Sequence, residues 1–440
     1  MECLDNFSSF YLLYLQFRKF ENMHTKLTQL YFLFALLFGF TGFSQIEKEI
    51  APPYNIKTVS FVVNGQNAVP VFNLTDRFQF QFDDLFGDEA NYFYQIVHCD
   101  YDWKVSQLSK AEYINGFDDQ RIQDYLNSFN TLQLYSHYRL SFPNKFTQFR
   151  VSGNYMLKIL NNDKEVVFTR KFILYEDLVS VPMQVKRARN LNDIEFKHNL
   201  DFAIKSPNFQ FQSPLQNVKV LLMQNGQFQS AIRNIKPMYT IGNDLIYKYD
   251  KETQFWAGNE FLYYENKDVR GANNFIARVD SKEVYNSYLY TNNARASSPY
   301  TFNPDINGNF VINNLNSQNN EVEADYSWIF FTLSAPAYYG KSDIYITGMF
   351  NNYILSPENK MEYNKEKAVY EKALMIKQGF TNYQYTIADA QGKIDYANAI
   401  DGNFYQTLND YIALVYYREN GQRYDRVIGK GVASSENITN

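Results

Sequence analysis

The sequence predicts an all-β protein of tandem β-sandwich domains, and three observations lead there. Of 440 residues, 18% are aromatic, as 37 Tyr, 38 Phe and 3 Trp. Much of the 45% hydrophobic content therefore sits in rings, which suit pleated surfaces, and mean hydropathy is −0.44. Short runs of alternating apolar residues recur along the chain, and Asn-Gly dipeptides punctuate them. Helical periodicity is limited to a turn or two, near residues 106–113 or 120–126.

The first segment reads as an export signal. Met23, His24 and Lys26 form a short basic region, and residues 30–40 (LYFLFALLFGF) form an apolar stretch of eleven. Gly42 and Ser44 then occupy the −3 and −1 positions of a cut before Gln45, so residues 1–44 are expected to be an extended N-terminus plus signal peptide starting at Met23. Eleven apolar residues fall short of the roughly 20 that span a bilayer. No later run approaches that length, so no direct membrane span is expected, and a cleavage site without Cys gives no lipid anchor. Losing Cys3 leaves Cys99 alone, which rules out an intramolecular disulfide. The cut removes three acids and three bases, so the net charge stays at −5, and nucleic acid is not an expected partner.

Strands are expected in order at residues 78–82 (FQFQF), 92–97, 154–160, 166–175, 218–223 and 329–333. Hairpin turns are expected at Asn64-Gly65, Asn225-Gly226, Asn307-Gly308 and Asn420-Gly421. The carboxylate pairs Asp83-Asp84 and Asp118-Asp119 read as solvated turns. Two shifts suggest boundaries: residues 176–182 (EDLVSVP), closed by a Pro that a central strand rejects, and residues 313–320 (NNLNSQNN), a polar stretch expected to pack nothing. The resulting division is 45–178, 179–322 and 323–440, with the small, polar residues from Gly429 on expected to be disordered.

Chemistry is sparse. The chain lacks G-x-S-x-G, P-loop, H-E-x-x-H and C-x-x-C patterns, so no catalytic residue, metal site or cofactor is expected. After residue 44 the histidines are His98, His137 and His198. The dense constellation is residues 98–103 (HCDYDW). On a strand, His98, Asp100 and Asp102 would share one face and Cys99, Tyr101 and Trp103 the other. One reading is a metal or acid/base cluster on the first face. The favoured reading puts Cys99 and Trp103 in the core, with the polar residues capping the strand end, because no distant third ligand accompanies the two carboxylates and imidazole.

A longer ordered string surrounds that constellation. It runs through residues 94–103 (YQIVHCDYDW), Ser106, Leu108, residues 112–117 (EYINGF), Ile122, Asp124-Tyr125, residues 128–131 (SFNT), Tyr135, His137-Tyr138, Phe142-Pro143 and residues 152–155 (SGNY). The string resembles the signature of the type IX secretion system plug proteins. The resemblance implies a non-enzymatic periplasmic subunit at the inner face of the outer membrane, whose partner is the translocon barrel and whose role is to plug the barrel's pore at rest. It marks His98, Asp100, Asp102 and Trp103 as signature residues with an expected part in partner binding. In the third domain, residues 328–336 (WIFFTLSAP), 344–353 (IYITGMFNNY), 370–374 and 379–387 resemble the early-set immunoglobulin-like modules of glycogen- and starch-active enzymes. Those modules usually carry Trp where this chain has Tyr353. This second resemblance implies a sandwich and, as the alternative function, a secreted or periplasmic glycan-binding or glycan-processing protein.

Overall fold

Alternating rings build the first sandwich of the computed structural model, which describes residues 46–207, 210–336 and 342–438. The export segment lies outside the described residues. Phe78, Phe80 and Phe82 share one face of the strand Phe78–Asp84, which pairs antiparallel with Ile56–Val63 on one side and Ser136–Phe142 on the other. In the second sheet, Gly153–Leu160 lies between Val166–Tyr175 and Phe93–Cys99. The filling between the sheets is largely aromatic: Phe72 stacks on Phe78 at 4.2 Å and Tyr155 on Phe172 at 5.2 Å. Such pairs add roughly 0.5–1.5 kcal/mol beyond their buried area.

The second sandwich combines a sheet built on Lys197–Ile204 with one in which Val218–Gln224 pairs with Asp410–Tyr417, itself paired with Arg426–Ser434. The third combines Gly379–Ala388 and its neighbours with a sheet centred on Tyr326–Ser334 and Val369–Lys377. All three belong to one compact unit beginning at Glu47. The strand ladders thus interleave along the chain, because the last hairpin returns to the second sandwich after the third is complete. Among the described residues, no helix is long and apolar enough to cross a membrane.

Local rules explain most elements. Asn64 and Gly65 both have positive φ (51° and 77°) and join Ile56–Val63 to Gln66–Ala68, as a two-residue hairpin of this twist requires. The short helix Lys110–Tyr113 forms where the Glu112 carboxylate accepts the Ser109 amide at 2.8 Å.

Four expectations need correction. Residues 120–126 hold no helical turn: Gln120–Arg121 and Asp124–Asn127 are edge strands, because each finds a ladder partner in a different sheet. Asp83 and Asp84 are buried at a strand end, where Asp84 accepts from Asn55 Nδ2 at 2.7 Å and from the Tyr92 hydroxyl at 2.8 Å. The stretch 313–320 is organised by its own amides: Asn314 donates to the Glu323 carbonyl at 2.7 Å and Asn320 accepts from the Asn314 amide at 2.8 Å. Residues 429–434 complete the strand Arg426–Ser434, and their small residues are the reason. A Cβ at Gly429 would lie 2.4 Å from Val179, and one at Gly431 2.5 Å from the Val181 carbonyl.

Candidate functional site

The signature segment turns instead of continuing as a strand. Phe93–Cys99 ends at Cys99, and the chain reverses through Asp100 N–H to Lys104 O (2.8 Å) and Trp103 N–H to Asp100 O (2.9 Å), with Trp103 at φ 62°. The strand therefore ends at Cys99, yet the turn carries Tyr101 and Trp103 to the same side as Cys99. His98 points into the first sandwich, with Nδ1 2.8 Å from Ser106 Oγ and Nε2 3.3 Å from the Ser152 carbonyl. Burial pushes its pKa down to about 4. A Cβ on Gly153 would come within 2.2 Å of His98 Nε2, so the Ser-Gly-Asn-Tyr run has Gly where the imidazole fits against the backbone.

Cys99, Tyr101 and Trp103 face the second sandwich and pack with Leu221, Met223, Leu414 and Tyr416. The Tyr101 hydroxyl donates to Val220 O at 2.7 Å and accepts the Asn234 amide at 3.0 Å, while its ring meets Tyr416 edge-on at 4.8 Å. Tyr416 in turn donates to Asn154 Oδ1 at 2.7 Å. Asp100 pairs with Arg418 at 2.7 Å, and Arg418 also holds Asp425. Trp103 is 4% exposed, beneath the Lys171 ammonium at 4.6 Å. Burial pushes the Cys99 thiol up to about 12, which keeps it an unreactive thiol. Of the four signature residues, Asp102 is exposed; His98, Asp100 and Trp103 are engaged within the chain. The segment is a joint between two sandwiches.

A second polar cluster joins the first sandwich to the third. Asp83, fully buried, accepts from the Lys377 ammonium at 2.7 Å, the Tyr326 hydroxyl at 2.6 Å and His137 Nδ1 at 2.6 Å. Lys377 also donates to the Glu321 carbonyl at 2.6 Å and lies 4.2 Å above the Tyr135 ring. Burial opposes the Asp83 charge, but Lys377 and His137 outweigh it and hold the carboxyl below its ordinary range. Sequence reasoning missed this cluster. Its one sequence signal was that Asp83 continues the Phe78–Phe82 alternation onto the opposite face. The three histidines do not converge: His198 lies elsewhere, 2.7 Å from the Tyr411 hydroxyl. Among the described residues, no three His, Cys, Asp or Glu side chains gather as a metal site would require.

Two adjoining loops of the first sandwich expose large apolar side chains. Phe86, Phe129, Leu132 and Leu134 are 66, 68, 47 and 61% exposed. The loops meet where a Cβ on Gly87 would lie 3.3 Å from Leu134 Cβ and where Gln133 Nε2 donates to Leu85 O at 3.0 Å. Hydrogen bonds from the Phe129 amide to Val322 O (2.9 Å) and from the Leu132 amide to Asp325 (2.8 Å) fix the loop against the third sandwich. Four exposed rings and branched chains thus gather on a pinned pair of loops. Tyr353, at the position where the glycan modules carry Trp, is buried against Gly308.

Residues 56–176 match the family described as "Type 9 secretion system plug protein 1st domain". The whole architecture is similar to the crystal structure of a hypothetical protein from Parabacteroides merdae. The two are 32% identical, with 88% of this chain and 98% of that chain covered and a TM-score of 0.83. A complex of Dpr2 Ig1-Ig2 with DIP-Theta Ig1-Ig3 aligns over 85% of this chain and 98% of that one, at 8% identity and a TM-score of 0.13, too low to carry an argument. No curated protein matches the chain.

Proposed function

This chain belongs to the type 9 secretion system plug family, and from that premise we propose that it docks on the periplasmic mouth of the system's outer-membrane barrel and closes its pore at rest. In this reading it is a non-enzymatic accessory subunit, exported by residues 1–44 and held at the inner face of the outer membrane by protein contact. The observation that carries the docking is the exposed apolar pair of loops, Phe86 with Phe129, Leu132 and Leu134, inside the matched domain. The signature residues support it differently. Tyr101 and Trp103 hold the first sandwich against the second, and His98 braces the strand end behind them, which suits a rigid plug.

Detergent extraction of outer membranes with a tagged chain tests the reading. The barrel is expected to co-purify, and Phe86→Asp with Phe129→Asp is expected to release it while the melting temperature stays unchanged. Recovery of the chain without any large outer-membrane barrel would refute the docking.

A further inference from the structure

Between the first and third sandwiches lies a cavity of about 190 Å³, with Ile56, Val59, Phe310, Ile312 and Leu374 among its apolar walls. Arg170 also lines it. On Val166–Tyr175, Arg170 has the parity of Phe168 and Phe172, which fill the core, so its side chain leaves the inner face of the sheet. It is 5% exposed, and its Nη1 has no hydrogen-bond partner. The carboxylate that acts on it, Glu49, accepts the Lys171 amide at 2.9 Å instead. Burial lowers the Arg170 pKa, but a guanidinium keeps its proton in proteins, so a charge faces the cavity. The two lysines of the wall are neutralised, Lys57 by Glu358 and Lys377 by Asp83.

The wall beside Arg170 is irregular. The ladder between Ile56–Val63 and Phe78–Asp84 slips between Lys57 and Ser60, and Thr58 sits there at φ 51°. Positive φ is costly for a β-branched residue, and bulges and strained residues of this kind gather at binding sites.

We propose that this cavity binds a small monocarboxylate with an apolar body, its carboxylate paired with Arg170. A guanidinium fork matches a carboxylate through two parallel hydrogen bonds. A single negative charge matches the one cation of the wall that lacks a hydrogen-bonding partner, whereas a dianion would leave excess charge among apolar walls. An apolar cavity of about 150 Å³ admits benzene, so this one admits a ring or a chain of about eight carbons with its carboxylate. Because both sandwiches line the cavity, the ligand stabilises the chain in which they are docked. Ligand binding in this cavity does not depend on pore closure.

Calorimetric titration and thermal melting of the purified chain test it, with octanoate and 3-phenylpropionate as acids and 1-octanol as the neutral probe. At least one acid is expected to bind and raise the melting temperature, with octanol at least tenfold weaker. Tighter binding of octanoate marks an aliphatic acid as the ligand class; tighter binding of phenylpropionate marks an aromatic one. Arg170→Met is expected to remove the preference for acid over alcohol. If that variant does not fold, the acid-against-alcohol comparison on the parent chain decides alone. Absence of binding by both acids, equal affinity for acid and alcohol, or an unchanged preference in a folded Arg170→Met variant would overturn the proposal.

Discussion

Two buried histidines give this chain a pH dependence that its composition does not suggest. Burial lowers His98 and His198 to about 4, from 6.5. The unfolded chain takes up these protons as pH falls through 6.5, whereas the folded chain does not until about 4. The stability they contribute is therefore complete above pH 6.5 and lost progressively down to pH 4, at about 1.4 kcal/mol per pH unit for each histidine. Asp305, which burial raises to about 6, works the other way over part of this range. Asp100, Glu260 and Asp325, also raised by burial, act with Asp305, whereas Asp83 and Asp425, held low despite burial, act with the histidines. Urea midpoints are expected to fall between pH 7 and 4.5, and His98→Gln or His198→Gln to flatten the slope; a midpoint independent of pH would contradict this. Trp103 is tested by truncation. Trp103→Ala opens a cavity at the joint between sandwiches and is expected to cost about 3–5 kcal/mol, read by thermal denaturation. A variant as stable as the parent would place the ring outside the core. The packing of Cys99 and Trp103, and the opposite side taken by His98, were legible in the residues themselves; the turn that follows Cys99 was not.

At the scale of elements, the sequence showed strands wherever apolar alternation met a turn dipeptide. Residues 166–175 are a strand as expected, and the expected 218–223 extends to Val218–Gln224. It was silent on pairing between distant segments. Nothing in the polar stretch 313–320 shows that its Leu315 amide donates to the Lys267 carbonyl at 3.1 Å, or in Gly429 and Gly431 that they meet Val179 and Val181. Gly429 and Gly431 look like disorder in isolation and are close-approach residues in the fold. Asp83 is the same case, since its partner Lys377 lies on the strand Val369–Lys377 of another sandwich. Removing one member of a buried pair leaves the other uncompensated, so Lys377→Met is expected to cost about 3–5 kcal/mol. Asp83→Asn combined with Lys377→Met is expected to recover part of that loss in a double-mutant cycle. Full additivity of the two substitutions would mean that the pair contributes nothing as a pair.

Across the whole molecule, three sandwiches are tied by two side-chain clusters: the signature segment between the first and second, and Asp83–Lys377 between the first and third. A rigid body of this kind suits a seal, which must match a pore rim over a broad area and still detach. Interface area need not bring tight binding, so a large contact and reversible docking are compatible. The most direct measurement is outer-membrane permeability to large antibiotics or dyes, in strains with and without the translocon barrel. Deleting this protein is expected to raise permeability when the barrel is present and to change nothing when it is absent. An equal rise in both strains would contradict pore closure.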